Sequence, residues 1–382
     1  MRNNARILDA ALLIADEVGW SAMTLASVAQ RAGLSRQAAV SRYRDRSELA
    51  ADLWTTRLAP PLADALAALT VTPTDVAALR EAFVPFVQPD QQMRAAAELL
   101  VVARYDRAVA DAIQATIGPR LDEWLSAQER RLTRAQAAQY GYLFCQAFGF
   151  LMQSRRFLID PADLDGELAG LKRALQEPGK PRKLPADSLD YIGRPVEFGT
   201  GDPELEGLLR ATLTEVGERG YEAATLDSIA RAAGCTQGLI FSRYQSKQQM
   251  FHDASDRMMG TAVNAGNDFW RSVAQTHSEG IAQATQMREL MLPAHRAPRT
   301  VNLEQCRLSW HDEALLASDE KGFADAVWQI HNDDPSRSVT ELRGSVYSGI
   351  ALGFGVMVLA DLYPTAWSLP FDVVTVPQMD GE

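Results

Sequence analysis

Two short clusters of guanidinium, amide and hydroxyl side chains stand 201 residues apart in this 382-residue chain. The first is Ser35-Arg36-Gln37-Ala38-Ala39-Val40-Ser41-Arg42-Tyr43-Arg44-Asp45-Arg46. The second is Thr236-Gln237-Gly238-Leu239-Ile240-Phe241-Ser242-Arg243-Tyr244-Gln245-Ser246-Lys247. Arginine matches guanine and glutamine matches adenine, because each presents two hydrogen-bonding groups at the spacing of a base edge in the major groove. Arg36 and Gln37 fall in the first turn of a short helix, where they can meet base edges. Arg42, Tyr43, Arg44 and Arg46 can meet phosphates, which fix register without reading sequence. Thr24 and Ser35 are helix caps at ends that also attract phosphate. With Ser41 they complete the first candidate DNA-binding set. The second set is Thr225, Thr236, Gln237, Gly238, Phe241, Arg243, Tyr244 and Lys247.

The elements that must position these groups repeat as well. Arg6 to Leu53 aligns with Leu208 to Ala254 without a gap. In the first copy, Ile7, Leu8, Ala11, Leu12, Ala15 and Val18 recur at helical spacing and Gly19 ends that helix. Thr24 caps a helix over Leu25–Arg31, Gly33 supplies a tight turn, and Ser35 caps a helix over Arg36–Tyr43. Asp45-Arg46-Ser47-Glu48 is a capping-box pattern for a fourth helix. Gly220, Thr225, Gly234, Thr236 and Ser246-Lys247-Gln248-Gln249 repeat each signal. Helix, cap, helix, glycine turn and capped short helix is helix-turn-helix syntax, able to seat one helix in a groove about 12 Å wide. A repeat of this length predicts two complete units in one chain.

Both copies resemble the N-terminal domain of the TetR family of bacterial transcriptional regulators. The resemblance rests on Thr24-Leu25-Ala26-Ser27-Val28-Ala29-Gln30-Arg31-Ala32-Gly33-Leu34-Ser35 and Thr225-Leu226-Asp227-Ser228-Ile229-Ala230-Arg231-Ala232-Ala233-Gly234-Cys235-Thr236. A short helix, an aromatic residue and a basic residue follow in each. The resemblance implies an all-α, dimeric protein whose three-helix head binds operator DNA. It also implies a larger helical body that binds a small effector and forms the dimer. Three departures stand out. The family usually has glycine where Gln37 sits, and tyrosine where Val40 and Phe241 sit. Histidine is usual where Arg42 and Arg243 sit. The two recognition helices are therefore expected to read different half-sites, and the target to be asymmetric or only partly palindromic.

The charge balance separates the two copies. Residues 35–46 hold four positive side chains and one negative, whereas 236–247 hold two positive. Glu204, Glu206, Glu215 and Glu218 add negative charge to the first helix of the second copy. Its nonspecific affinity for DNA should be the weaker. The formal net charge of −11 argues against a protein coated in positive charge but not against local DNA contact.

The expected division is a first head at 1–53, a helical body at 54–176 and a proline- and glycine-rich linker at 177–203. A second head at 204–254, a second body at 255–372 and a tail at 373–382 follow. The linker is expected to lie as an ordered strap through Tyr191-Ile192 and Val196-Glu197-Phe198. Val346–Ala360 is fifteen residues of apolar sequence, short of the ~20 a membrane span needs, and reads as a buried helix. Gly349 and Gly353 within it suit a closely packed helix pair with Gln139–Met152 as the counterpart. That pairing implies a monomeric pseudodimer, with a homodimer left open. Tyr105, Trp124, Tyr142 and Phe148 in the first body are weak candidates to line an effector pocket. Trp310, His311, Trp328 and Tyr347 are their counterparts in the second. Their character suits an apolar or aromatic effector.

Three cysteines (145, 235 and 306) are too few and scattered for a disulfide framework, which fits a cytoplasmic protein. The five histidines show no ligand spacing and read as solvated surface. No phosphate loop, nucleophile elbow or Cys-x-x-Cys is present, so neither a cofactor nor an enzymatic activity is expected. The leading expectation is an effector-responsive, sequence-specific DNA-binding repressor. The alternative is a protein- or ligand-binding module of the same fold in which one or both heads no longer bind DNA.

Overall fold

The computed structural model describes residues 2–71, 75–121, 123, 134–176, 196–274, 279–333 and 335–362. These residues form helices and turns, and no strand occurs among them. The chain divides into two compact units, Met1–Arg182 with Cys306–Glu382, and Lys183–Gln305. This division differs from the expected one, because more than half of the expected second body, from Cys306 on, belongs with the first unit.

The first unit opens with the head helices α1 (Arg2–Glu17), α2 (Leu25–Arg31), α3 (Arg36–Val40) and α4 (Arg46–Leu53). Ile7, Leu8, Ala11, Ile14 and Ala15 of α1 are buried, whereas Val18 is half exposed and packs no core. After α4 comes one π turn, Trp54–Leu58, and then α5 (Ala59–Leu69). Pro60 and Pro61 remove two backbone donors there, which accounts for the widened turn. The body continues with α6 (Val76–Val87), α7 (Gln91–Val102), α8 (Arg107–Thr116), α9 (Arg134–Gln153) and α10 (Asp165–Gln176). Asp75, Asp90 and Asp106 cap α6, α7 and α8 through side-chain oxygens.

The second unit holds α11 (Pro203–Arg219), α12 (Leu226–Ala233), α13 (Gln237–Arg243), α14 (Lys247–Ala274) and α15 (Glu279–Leu290). It also holds most of α16 (Arg296–Ser309). Of the expected strap, Tyr191 and Ile192 lie outside the described residues. Phe198 is buried, its carbonyl accepts from Arg257, and Arg210 lies 5.3 Å from its ring centre. The fully buried Arg299 donates from Nη1 to the carbonyls of Leu290 and Leu292, each at 2.7 Å, and so closes the end of α15.

The remaining helices, α17 (Glu313–Asp333) and α18 (Val339–Leu362), belong to the first unit. The apolar run lies within α18, whose 24 residues are long and apolar enough to cross a membrane. Burial, rather than the expected shortness, accounts for its composition. Tyr347, Ala351, Leu352, Val356 and Val358 are buried, and α18 packs along α9. The close approach uses different glycines from those expected. A β-carbon on Gly149 would strike the Ala351 carbonyl, and one on Gly355 would strike the Cys145 carbonyl. Gly349 and Gly353 have open space at the same test, because the packed face of α18 runs through 344, 348, 351 and 355. Phe150 of α9 stacks on Tyr347 of α18 with centroids 5.2 Å apart and planes 2° from parallel.

Candidate nucleic-acid interface

The first head builds its turn from side-chain caps. Thr24 Oγ1 accepts from the Ser27 amide (3.1 Å), and Ser27 Oγ accepts from the Thr24 amide (3.0 Å). One of the helix's orphan donors and the amide of its cap residue are thereby satisfied without help from outside the head. Gly33 follows at φ +64°, a left-handed conformation that carries the chain into α3. Ser35 Oγ accepts from the Ala38 amide at 3.3 Å. Helix α3 ends at Val40, three residues earlier than expected, so Arg42 and Tyr43 lie in the turn that follows.

The second head repeats this geometry. Thr225 and Ser228 form the same reciprocal box at 3.0 and 3.1 Å, and Gly234 takes φ +67°. Thr236 differs from expectation, since its side chain makes no capping bond to α13. Arg44 N donates to Glu48 Oε2 at 2.8 Å, and Gln245 N donates to Gln249 Oε1 at 2.9 Å. These are one contact at two places in the chain.

The expected site residues fall into two groups. Ser35, Arg36, Gln37, Ser41, Arg42 and Arg44 are exposed in the first head, as are Thr225, Thr236, Gln237, Gly238 and Arg243 in the second. Val40 and Phe241, equivalent by the repeat, are exposed apolar groups at 42% and 59%. Tyr43 and Tyr244 are different, being buried at 3% and 8% exposure. Each phenol donates to a carboxylate nine residues later: Tyr43 to Asp52 at 2.5 Å and Tyr244 to Asp253 at 2.5 Å. Burial, with Asp52 or Asp253 beside it, raises each phenol well above its ordinary range, so both protons stay in place. These tyrosines brace the recognition turn from inside and do not offer their hydroxyls to phosphate. Tyr43→Phe should therefore cost about 1–2 kcal/mol in denaturant unfolding. DNA affinity per folded molecule should change less than twofold, and a larger loss would return the hydroxyl to the interface.

Arg46 and Lys247 also lie differently from the expectation of phosphate contacts. The Arg46 guanidinium sits 4.2 Å from the Trp20 ring centre, with Nη1 3.4 Å from the Trp20 carbonyl. Lys247 Nζ sits 4.0 Å from the Tyr221 ring centre and donates to the Tyr221 carbonyl at 2.7 Å. The two cations are half buried against aromatic faces.

The heads differ in charge. Arg42 Nε donates to the neutral Asn4 Oδ1 at 3.2 Å, so its positive charge is uncompensated there. Arg243 is ion-paired to Asp202 at 2.7 Å. Asp202 also accepts from the Glu204 and Leu205 amides as the cap of α11.

None of the expected effector-lining residues lines the more apolar of two cavities described in the first unit. That cavity, about 340 Å³, is lined by Ala63, Leu66, Ala67, Thr70, Ile117, Leu121 and Phe144, with the exposed Arg120 and Glu123 at its edge. Tyr142, Phe148 and Tyr347 are packed core instead, and Trp310 is buried with Nε1 donating to the Met152 carbonyl at 3.2 Å. Trp328 is 53% exposed, and Tyr105 is half-buried. Trp124 lies outside the described residues. His311, read from sequence as solvated, is only 16% exposed and lies 3.4 Å from Glu98. Sequence reasoning also missed Glu98 and Glu304, both buried. One signal was available: Glu98 is the only charged residue between Ala95 and Ala103.

Residues 208–254 match the family model described as bacterial regulatory proteins, tetR family. No curated protein matches the chain. The second head is therefore a TetR-type regulatory domain within a chain whose described residues are all helical. Proteins of that type are regulators and not catalysts, and among the described residues no three His, Cys, Asp or Glu side chains gather as a metal site.

Proposed function

We propose that this chain is a sequence-specific DNA-binding transcriptional regulator acting in the cytoplasm as an effector-responsive repressor. Two non-identical helix-turn-helix heads work in it as an intrachain pseudodimer. The observation that carries this reading is the recurrence, 201 residues on, of the Thr–Ser capping box, the glycine turn, the Tyr–Asp brace and the cation over an aromatic ring. A single helix-turn-helix would need none of this twice. The α9–α18 pairing within one chain supports a built-in version of the contact that two subunits would otherwise make. Arg36, Gln37, Arg42 and Arg44 are the groups offered to DNA by the first head; Gln237 and Arg243 are those of the second. The cavity beside α5 and α9 has the apolar wall and few polar groups of a small-molecule site. An effector seated there would shift the population of head arrangements away from the one that fits DNA.

A second reading keeps one dominant head, and the Asp202–Arg243 ion pair favours it. Selection of the preferred duplex from a random library, followed by titration with stoichiometry, separates these. An asymmetric site occupied by one chain supports two reading heads. A perfect palindrome occupied by two chains makes the first head dominant. Equal affinity for unrelated duplexes, or no binding, overturns the regulator.

A further inference from the structure

In each unit a buried carboxylate of the body holds the head by the same route. In the first unit, the Trp20 amide donates to Glu98 Oε1 of α7 at 2.6 Å. Arg307 Nη1 donates to the same oxygen at 2.8 Å, and both Glu98 and Arg307 are 1% exposed. Burial alone would raise the Glu98 carboxyl, but Arg307, His311 and the Trp20 amide outweigh it and hold it at about 2. The carboxylate is thus charged at any physiological pH, and its charge is spent on the head's backbone and one body cation. The Trp20 ring and carbonyl then meet Arg46, the first residue of α4. Asp45 and Arg46 directly follow the recognition turn, so the path from body to DNA-facing residues is Glu98, Trp20, Arg46.

The second unit repeats the path with different residue types. The Tyr221 amide donates to Glu304 Oε1 of α16 at 3.1 Å, and Glu304 is fully buried. Tyr221 in turn holds Lys247, the first residue of α14, by its ring and its carbonyl. Tryptophan has become tyrosine and arginine has become lysine, yet amide, carboxylate, ring and cation keep their order. Packing alone has no need to preserve a buried carboxyl group at this place. A buried ion pair is a weak source of stability but fixes one geometry against alternatives, because any other geometry strands a charge out of water.

A second charged clamp sits beside the first path. Asp16, near the end of α1, is held by Arg94 of α7 through two bonds at 2.7 and 2.8 Å, and by Arg155. Arg155 also donates to the Asp16 carbonyl at 2.6 Å. Arg94 and Glu98 are one turn apart, so α7 grips the end of α1 at Asp16 and the start of the α1–α2 connection at Trp20.

We propose that these paths, Glu98–Trp20–Arg46 and Glu304–Tyr221–Lys247, are the relays by which each body sets the orientation of its own recognition helix. Glu98 and Glu304 are positioning residues in this scheme. The DNA consequence rests on the regulator reading above, but the mechanical one does not.

The test uses the full chain with Glu98→Gln, Glu304→Gln and Arg46→Met, each followed by amide hydrogen exchange and by titration of the selected duplex. Glu98→Gln should raise exchange about tenfold over 20–53 and leave 221–254 unchanged, and Glu304→Gln should do the reverse. Each should weaken DNA binding about tenfold with no change in its salt dependence. Should Glu98→Gln fail to fold, Arg46→Met removes the last link of the relay and leaves the buried charges paired. It should give the same affinity loss at constant salt slope, whereas a lost phosphate contact would lower that slope by about 0.9. Exchange that rises equally in both heads, or in neither, overturns the relays, as does a reduced slope for Arg46→Met. Absence of DNA binding by the unaltered chain overturns the regulator reading alone, and the exchange measurement still decides the relays.

Discussion

Gly355→Ala should destabilise the first unit by about 3 kcal/mol, a large effect for adding one methyl group. The new β-carbon would overlap the Cys145 carbonyl oxygen and lie 2.8 Å from the Gly149 amide nitrogen. Both obstacles are helix backbone, so no side chain can rotate away. Helices α9 and α18 must separate, and Phe150, Tyr347, Ala351 and Cys145, all buried along that contact, lose packing together. Gly149→Ala should behave alike, since its β-carbon meets the Ala351 carbonyl. Gly353→Ala is the internal control, because nothing lies within 4 Å of its β-carbon. There the ordinary helix preference for alanine applies, and stability should rise by about 0.5–1 kcal/mol. Guanidinium unfolding of the three variants reads opposite signs from chemically identical substitutions in one helix pair. Equal effects at 353 and 355 would place the close contact elsewhere.

That contrast also marks where the sequence was legible. The heads could be read almost residue by residue: Leu25–Arg31 is α2 at its expected bounds, and the Thr24, Ser35 and Asp45 caps lie where their spacing puts them. Caps and glycine turns are local, so a few residues carry the whole signal. The glycine face of α18 was not readable this way. A 24-residue helix with glycines at 344, 349, 353 and 355 offers several small-residue faces. Which one meets α9 depends on the partner. The same holds for Glu98, whose role appears only when Trp20, 78 residues earlier, and Arg307, 209 residues later, arrive at it. Tyr43 shows the opposite error. Its place after a recognition helix suggested a phosphate contact, but Asp52, one helix on, draws the hydroxyl inward. The tyrosine–aspartate spacing of nine, repeated at 244 and 253, was present in the sequence and went unused.

The two arginines at the ends of the recognition segments, Arg42 and Arg243, should prove unequal at the DNA. Arg42→Ala should weaken binding to the selected duplex about tenfold and reduce the slope of log affinity against log salt by about 0.9, the signature of one lost phosphate contact. Arg243→Ala should do much less on both measures. The sequence repeat makes the two positions equivalent, but their surroundings differ. Arg42 bonds a neutral amide oxygen at 3.2 Å and keeps its charge to offer. Arg243 is paired with a carboxylate at 2.7 Å, so a phosphate must displace Asp202 before it gains anything. A half-exposed pair contributes little to stability, so its effect here is to hold a charge back. Asp202→Asn isolates that effect. Asparagine caps a helix about as well as aspartate, so α11 should keep its start while Arg243 is released. Binding should strengthen about threefold or more, with a steeper salt dependence, and Arg243→Ala should then abolish the gain. Equal losses from Arg42→Ala and Arg243→Ala in the unaltered chain would mean that the ion pair opens freely and that the two heads grip DNA alike. A gain from Asp202→Asn that survives Arg243→Ala would trace the inhibition to the negative charge of Asp202 acting on DNA directly.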